Sequence, residues 1–294
     1  MIVIKFQGGM GNQMFQYALG RTLSHIHKVP FFLDATSYKH DSLRSYALSP
    51  FRIQERFASM EEIVRFRRFK KRRGRVWSFY NYLFADESRY VEERQFNFDP
   101  RILKTRDDAY FDGFWQTEKY FYPIASIIRE EFMLKMPIGD RSASLRREIE
   151  DSEQSVALHV RRADYIANPS THAYHGVCGK EYYDRAIKIL SAKFSEPHLF
   201  VFSDDEVWAK ENIQYPFPTE YISREPAKDH EDLYLMSLCK NNITANSSFS
   251  WWGAWLNRNP DKIVIAPRRW VATAKLNTVD LIPESWITIA LIHK

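Results

Sequence analysis

Cysteine is nearly absent from this 294-residue chain. Cys178 and Cys239 are too few for a disulfide scaffold and have neither a C-x-x-C pattern nor a histidine partner at metal-ligand spacing, so both are expected to be reduced thiols. Long hydrophobic runs are missing too. No apolar stretch approaches the roughly 18 residues that cross a bilayer. The opening MIVIKFQGGMGNQ lacks the basic leader, apolar segment and small-residue cleavage site of a secretory signal. A cytoplasmic protein is the expectation. Glycine is scarce, ten residues in all, so any cluster of it is informative.

Hydrophobic residues at 45% and charged residues at 27% suit a globular protein. The length allows one large domain or two of about 150 residues. The excess charge of +5 comes largely from the run Arg65 to Arg75 (RFRRFKKRRGR), where eight of eleven residues are Lys or Arg. No zinc finger, RNA-recognition signature or basic zipper accompanies it, which argues against a nucleic-acid partner. Phe66 and Phe69 interleave with the cations, and Val76, Trp77, Phe79 and Tyr80 follow. Peripheral contact with an anionic membrane at the inner face of the cytoplasmic membrane fits that pattern; a solvated helical face fits it equally.

Apolar runs alternate with helical periodicity along the chain. Ile2 to Phe6 reads as a strand, 7–12 as a glycine-rich turn, and Met14, Phe15, Ala18, Leu19, Leu23 and Ile26 as a helix. Phe31 to Asp34 and Ala109 to Phe114 read as strands, Tyr120 to Lys135 and Arg141 to Glu150 as helices. Ser59 with Glu62 forms a capping-box pattern. From Ser155 on, strands near 155–160, 198–203, 219–222, 242–245 and 262–265 alternate with helices. That rhythm implies an α/β protein with a parallel, doubly wound sheet, and a boundary near residue 150 separates domains 1–150 and 151–294.

Chemistry gathers where strands end. SVALHVRRADY (155–165) is an apolar strand that stops in His159, Arg161, Arg162 and Asp164, and ligands of open α/β sheets sit beyond the carboxyl ends of strands. Two permanent positive charges there suit a pyrophosphate; a strand-end ion pair between Arg162 and Asp164 is the alternative. His159 shares the Arg161 face, as a ligand group or as a buried histidine. Gly8, Gly9 and Gly11 lie in GGMGNQ between a strand and a helix, with Asn12 and Gln13 placed to cap the helix or reach a ligand; the spacing fits neither G-x-G-x-x-G nor a Walker loop. Asp204 and Asp205 end another strand, as readers of guanine or ribose or as helix caps. Asn246, Ser247 and Ser248 open a helix rich in tryptophan, a second anion seat or a simple cap.

GGMGNQMFQYA (8–18), HVRRADY (159–165), FSDD (202–205) and ANSSFSWWGAW (245–255), with FWQTEKYF (114–121) and THAYHGVCGKEYY (171–183), resemble the bacterial α-1,2-fucosyltransferases of glycosyltransferase family 11 nearly end to end. The family usually has glycine where Ala163 stands. The resemblance implies a GT-B fold, two Rossmann-like doubly wound domains facing a cleft, the first on the acceptor side and the second binding the GDP-sugar. It implies GDP-β-L-fucose as donor, a galactose hydroxyl as acceptor within a glycan such as an O-antigen, inversion at the anomeric carbon, and no metal or other cofactor. Within that reading Arg161 and Arg162 stabilise the departing diphosphate and Asp164 is the candidate base. His159 and an aspartate of the 204–205 pair read guanine, while Gly9, Gly11, Asn12, Gln13, Asn246, Ser247 and Ser248 complete the donor site. A transferase for another nucleotide sugar, or a non-catalytic nucleotide- or sugar-binding protein, shares the generic features.

Overall fold

The structure is a computed structural model that describes residues 1–71, 77–163, 166, 173–174, 176–223, 228–272 and 276–291. The chain divides into two compact units, Met1–Lys135 with Val279–Leu281, and Met136–Thr278 with Ile282–Lys294.

The first unit holds a four-stranded sheet of β1 (Ile2–Lys5), β2 (Phe31–Asp34), β3 (Tyr90–Glu92) and β4 (Ala109–Asp112), in the order β2-β1-β4-β3. Every pairing is parallel. Ile2, Val3, Ile4 and all of β4 are buried, which is why these strands read as unbroken apolar runs and not as alternating ones. Helix α1 (Met10–His27) follows β1 directly and ends where Lys28 turns left-handed. Helix α2 (Met60–Arg67) begins at the expected capping box, with both reciprocal Ser59–Glu62 hydrogen bonds made.

One expectation changes here. The helix expected over Tyr120 to Lys135 is broken into 3-10 turns at Glu118–Tyr120 and Tyr122–Ile124 before α4 (Ala125–Glu131), because Pro123 in the second turn has no N–H to donate and restricts the residue before it. The basic run is tied down on its own unit: Arg65 pairs with Asp108, Arg67 with Asp34, Lys70 with Asp112 and Glu92, and Lys71 with Glu87. Its members 72–75 lie outside the described residues. Helix α3 (Ser78–Phe84), which the sequence pattern did not reveal, follows.

The second unit holds a six-stranded sheet of β5 (Ser155–Val160), β6 (His198–Ser203), β7 (Thr219–Ser223), β8 (Asn241–Ile243), β9 (Val264–Pro267) and β10 (Ile287–Ile289), ordered β10-β9-β8-β5-β6-β7. All five pairings are parallel. One face, Val156, Leu158 and Val160, packs on Tyr182, Tyr183 and Ala186 of α6 (Lys180–Ser191). The other, Ala157, Phe200 and Phe202, packs on Leu235 and Met236 of α8 (Asp229–Leu238) and on Ile149 of α5 (Asp140–Asp151). The sheet is doubly wound, as expected. Helices α7 (Glu206–Asn212) and α9 (Ser248–Leu256) complete the unit.

Helix α5 explains why the division falls at Lys135/Met136 and not at residue 150. Glu231 of α8 accepts hydrogen bonds from the Ser142 hydroxyl and from Gly139 N–H, so the helix that was expected to close the first domain belongs to the second.

Candidate functional site: two strand-end turns

Strand order fixes where a site can form. In the second unit the chain runs from β5 outward to β6 and β7, then returns to β8 on the other side of β5. The switch point therefore lies between β5 and β8, the place where open α/β sheets bind ligands. Leu158 is in register with Ile243; continuing that register brings Val160 level with Ala245 and Arg161 level with Asn246. Two sequence motifs some 85 residues apart thus emerge at one sheet edge.

The arginines are held by the next strand-end turn. Asp204 directs one oxygen to the Arg162 N–H at 2.8 Å and the other to Arg161 Nε at 3.2 Å. Asp205 caps α7 through the Trp208 N–H and stands 3.6 Å from Arg162 Nε. The Arg162 guanidinium lies 4.0 Å above the Trp208 ring, a cation–π contact, and its Nε is buried without a hydrogen-bond partner. Both arginine side chains are only 15% exposed. Arg161 pairs with Asp204 and Arg162 with Asp205; Asp164, the alternative partner for Arg162, lies outside the described residues. The two aspartates are thus occupied in fixing and capping; Trp208, which anchors the second arginine, carried no signal in the sequence because its contact is tertiary.

His159 is buried, its ring 5.7 Å from that of Phe249, and its carbonyl accepts from the Tyr183 hydroxyl. Asn246 donates to the carbonyls of Gly176 and Trp270 and accepts from the Cys178 thiol; these partners make it a scaffold residue. Burial pushes that thiol up to about 12, so it is neutral. Ser247 precedes α9 in extended conformation and makes no side-chain cap, so the simple capping alternative does not describe it.

The first unit has its own switch point, between β1 and β4, and the glycine-rich turn sits there. Gly8 takes φ +77°, and a Cβ would stand 2.4 Å from Asn12 Nδ2, so only glycine fits. Gly9 is the N-cap of α1 without any side-chain cap. Helix α1 starts at Met10, which puts Gly11, Asn12 and Gln13 in its first turn. Asn12 accepts from Gln116 Nε2 at 2.7 Å. Gln13, a donor-site candidate by sequence, is fully buried and spends its amide on the chain itself: it donates to the Gly8 and Ser45 carbonyls and accepts from Ala47 N–H. Gln16, one turn on, likewise ties Gln7 to Gly113. The recurrence of amides at 12, 13 and 16 on one helix start was the available signal for that network. Among the described residues no group of three or more His, Cys, Asp or Glu side chains could hold a metal ion, and no helix is long and apolar enough to cross a membrane.

Known proteins share this architecture and sequence. The chain superposes on a variant of Arabidopsis thaliana FUT1 in complex with GDP with a TM-score of 0.53 at 12% identity, covering 92% of this chain and 71% of that one. It superposes on POFUT1 in complex with GDP-fucose with a TM-score of 0.50 at 15% identity, covering 90% and 97%. An Escherichia coli alpha-1,2-colitosyltransferase is 34% identical over 98% of this chain and 99% of its own length. An Escherichia coli O-antigen biosynthesis glycosyltransferase, WbnK, is 33% identical over 96% and 98%. The profile of Glycosyl transferase family 11 matches residues 1–290, and the chain therefore belongs to that glycosyltransferase family.

Proposed function

We propose that the protein transfers L-fucose from GDP-β-L-fucose to the 2-hydroxyl of a terminal galactose in an O-antigen or similar surface polysaccharide, with inversion and without a metal ion. The observation that carries this is the pair of carboxylate-held arginines at the β5–β8 switch point, next to the start of α9. Two guanidiniums fixed at one sheet edge suit the diphosphate of a leaving nucleotide, whose charge grows as the glycosidic bond breaks. The acceptor O2 bonds to C1 while the C1–O bond to phosphate breaks; the electron pair leaves with GDP and the acceptor proton passes to a carboxylate, for which Asp164 remains the candidate. Arg161 and Arg162 neutralise the diphosphate, with Ser247 and Ser248 offering hydroxyls and helix-start amides. In this reading the second unit binds the GDP-sugar and the first serves the acceptor.

The 34% identical relative names colitose as the rival sugar. Incubation with GDP-fucose, GDP-linked colitose, GDP-mannose and UDP-sugars, each with a panel of β-galactosides, is expected to consume GDP-fucose alone and to proceed unchanged in EDTA. Turnover of another donor replaces the sugar, strict dependence on added Mg²⁺ or Mn²⁺ overturns the metal-free mechanism, and binding without turnover of any donor overturns the enzyme.

A further inference from the structure

FWQTEKYF (114–121) is the motif that the donor site leaves unused. Its second residue, Trp115, stands at φ +57°, in the left-handed region that a bulky residue rarely adopts without strain. Its indole Nε1 is buried with no hydrogen-bond partner. Two unfavourable features at one residue persist only when the surroundings impose them. Here Glu93, just past β3, does so: its carboxylate accepts from Phe114 N–H at 2.6 Å and from Trp115 N–H at 3.0 Å. The Glu93 N–H is itself fixed to the Asp112 carbonyl at 2.9 Å. Gly113 lets the carboxylate in so closely that a Cβ there would stand 2.4 Å from Glu93 Cβ.

What the clamp delivers is the next side chain. Gln116, 7% exposed, donates to Asn12 Oδ1 at 2.7 Å, and Gln16 ties the Gly113 carbonyl to Gln7. The strained turn is thereby joined twice to the glycine-rich turn. We infer that Glu93 is a positioning residue for the transfer: it holds residues 114–116 so that Gln116 sets Asn12 at the start of α1. The inference rests on the glycine-rich turn serving the proposed reaction.

Among the described residues no cation pairs with Glu93. Burial raises its carboxyl to about 7; the Phe114 and Trp115 amides pull it down and the Asp112 charge pushes it up. The other titratable group near it is Tyr120, whose hydroxyl burial holds neutral. As pH falls through about 7, a proton therefore occupies one carboxylate oxygen and the clamp weakens.

The full chain is tested as wild type, Glu93→Gln, Gln116→Ala and the double variant, by transfer kinetics against pH and by hydrogen exchange at residues 8–13. Glu93→Gln turns an N–H donor toward a backbone N–H. It is expected to lower kcat at least about tenfold with donor KM within about twofold, to remove an acidic limb near pH 7 from the kcat profile, and to speed exchange at 8–13. Gln116→Ala is expected to do the same, and the double variant to be no worse than the worse single, the non-additivity of one linked pathway. Additive losses, or wild-type kcat with unchanged exchange, overturn the inference. If Glu93→Gln does not fold, Gln116→Ala decides by the same two readouts. If the wild type transfers no sugar, the proposed function has failed, and unchanged exchange at 8–13 in both single variants still overturns the positioning role.

Discussion

The turn after β1 and the turn after β5 both leave a buried parallel strand beside the switch point of their sheet, yet they are built from different material. The first is built from neutral residues, with glycine at a positive φ, Gln13 and Gln16 bonded to backbone and Gln116 bonded to Asn12, although the Arg44 side chain would stand 4.0 Å from a Cβ at Gly9. The second is charged, two arginines each held by an aspartate of the next strand end. An amide lattice whose donors and acceptors are spent on the chain fixes the shape of the turn. Fixed guanidiniums suit an anion whose charge develops during reaction. Strand-end position alone thus does not determine what a turn recognises; the difference lies in whether polar side chains are consumed by backbone or aimed by carboxylates.

Substitutions can break this contrast, beginning with the charged turn. Arg161→Ala is expected to lower transfer by about 10²–10³-fold, the scale of losing a preorganised charge contact in the transition state, in a protein that remains folded but has a lower denaturation midpoint, because the buried Asp204 carboxylate loses its ion-pair partner. Asp204→Asn, which loosens the aim without removing the arginine, is expected to cost about tenfold, in the same assay. In the glycine-rich turn the larger effect is on stability. Gly8→Ala is expected to destabilise by about 1–3 kcal/mol in urea titration, since φ +77° and the 2.4 Å approach of Asn12 both oppose a methyl group. The smallest effect sharpens the comparison: Ala163→Gly in the charged turn, where Ala163 is exposed, is expected to move stability by no more than about 0.5 kcal/mol.

Much of the second unit was legible because parallel strands buried on both faces leave unbroken apolar runs, each followed by a helix of ordinary length. β3 and β10, three residues each, are too short to carry a period, and α5 reads identically whichever unit it packs on. The arginines stood out because adjacent permanent charges after an apolar strand have few structural uses. Gln13 and Asn246 show what sequence leaves open for an amide: the same groups hydrogen-bond a ligand or a backbone carbonyl, and the structure puts backbone carbonyls within reach of both. The tie between Glu93 and Trp115 was invisible for a physical reason. Their relation depends on a backbone φ and on a close approach at Gly113, and neither leaves a pattern in neighbouring residues.

The central claim is that the turn at Arg161 and Arg162 seats the diphosphate of a guanine nucleotide. Calorimetric titration of wild type and Arg161→Ala with GDP and with guanosine tests it directly. Wild type is expected to bind GDP about 100-fold more tightly than guanosine, and Arg161→Ala to lower this ratio at least about tenfold, with guanosine affinity little changed. An undiminished preference for GDP in Arg161→Ala would contradict it.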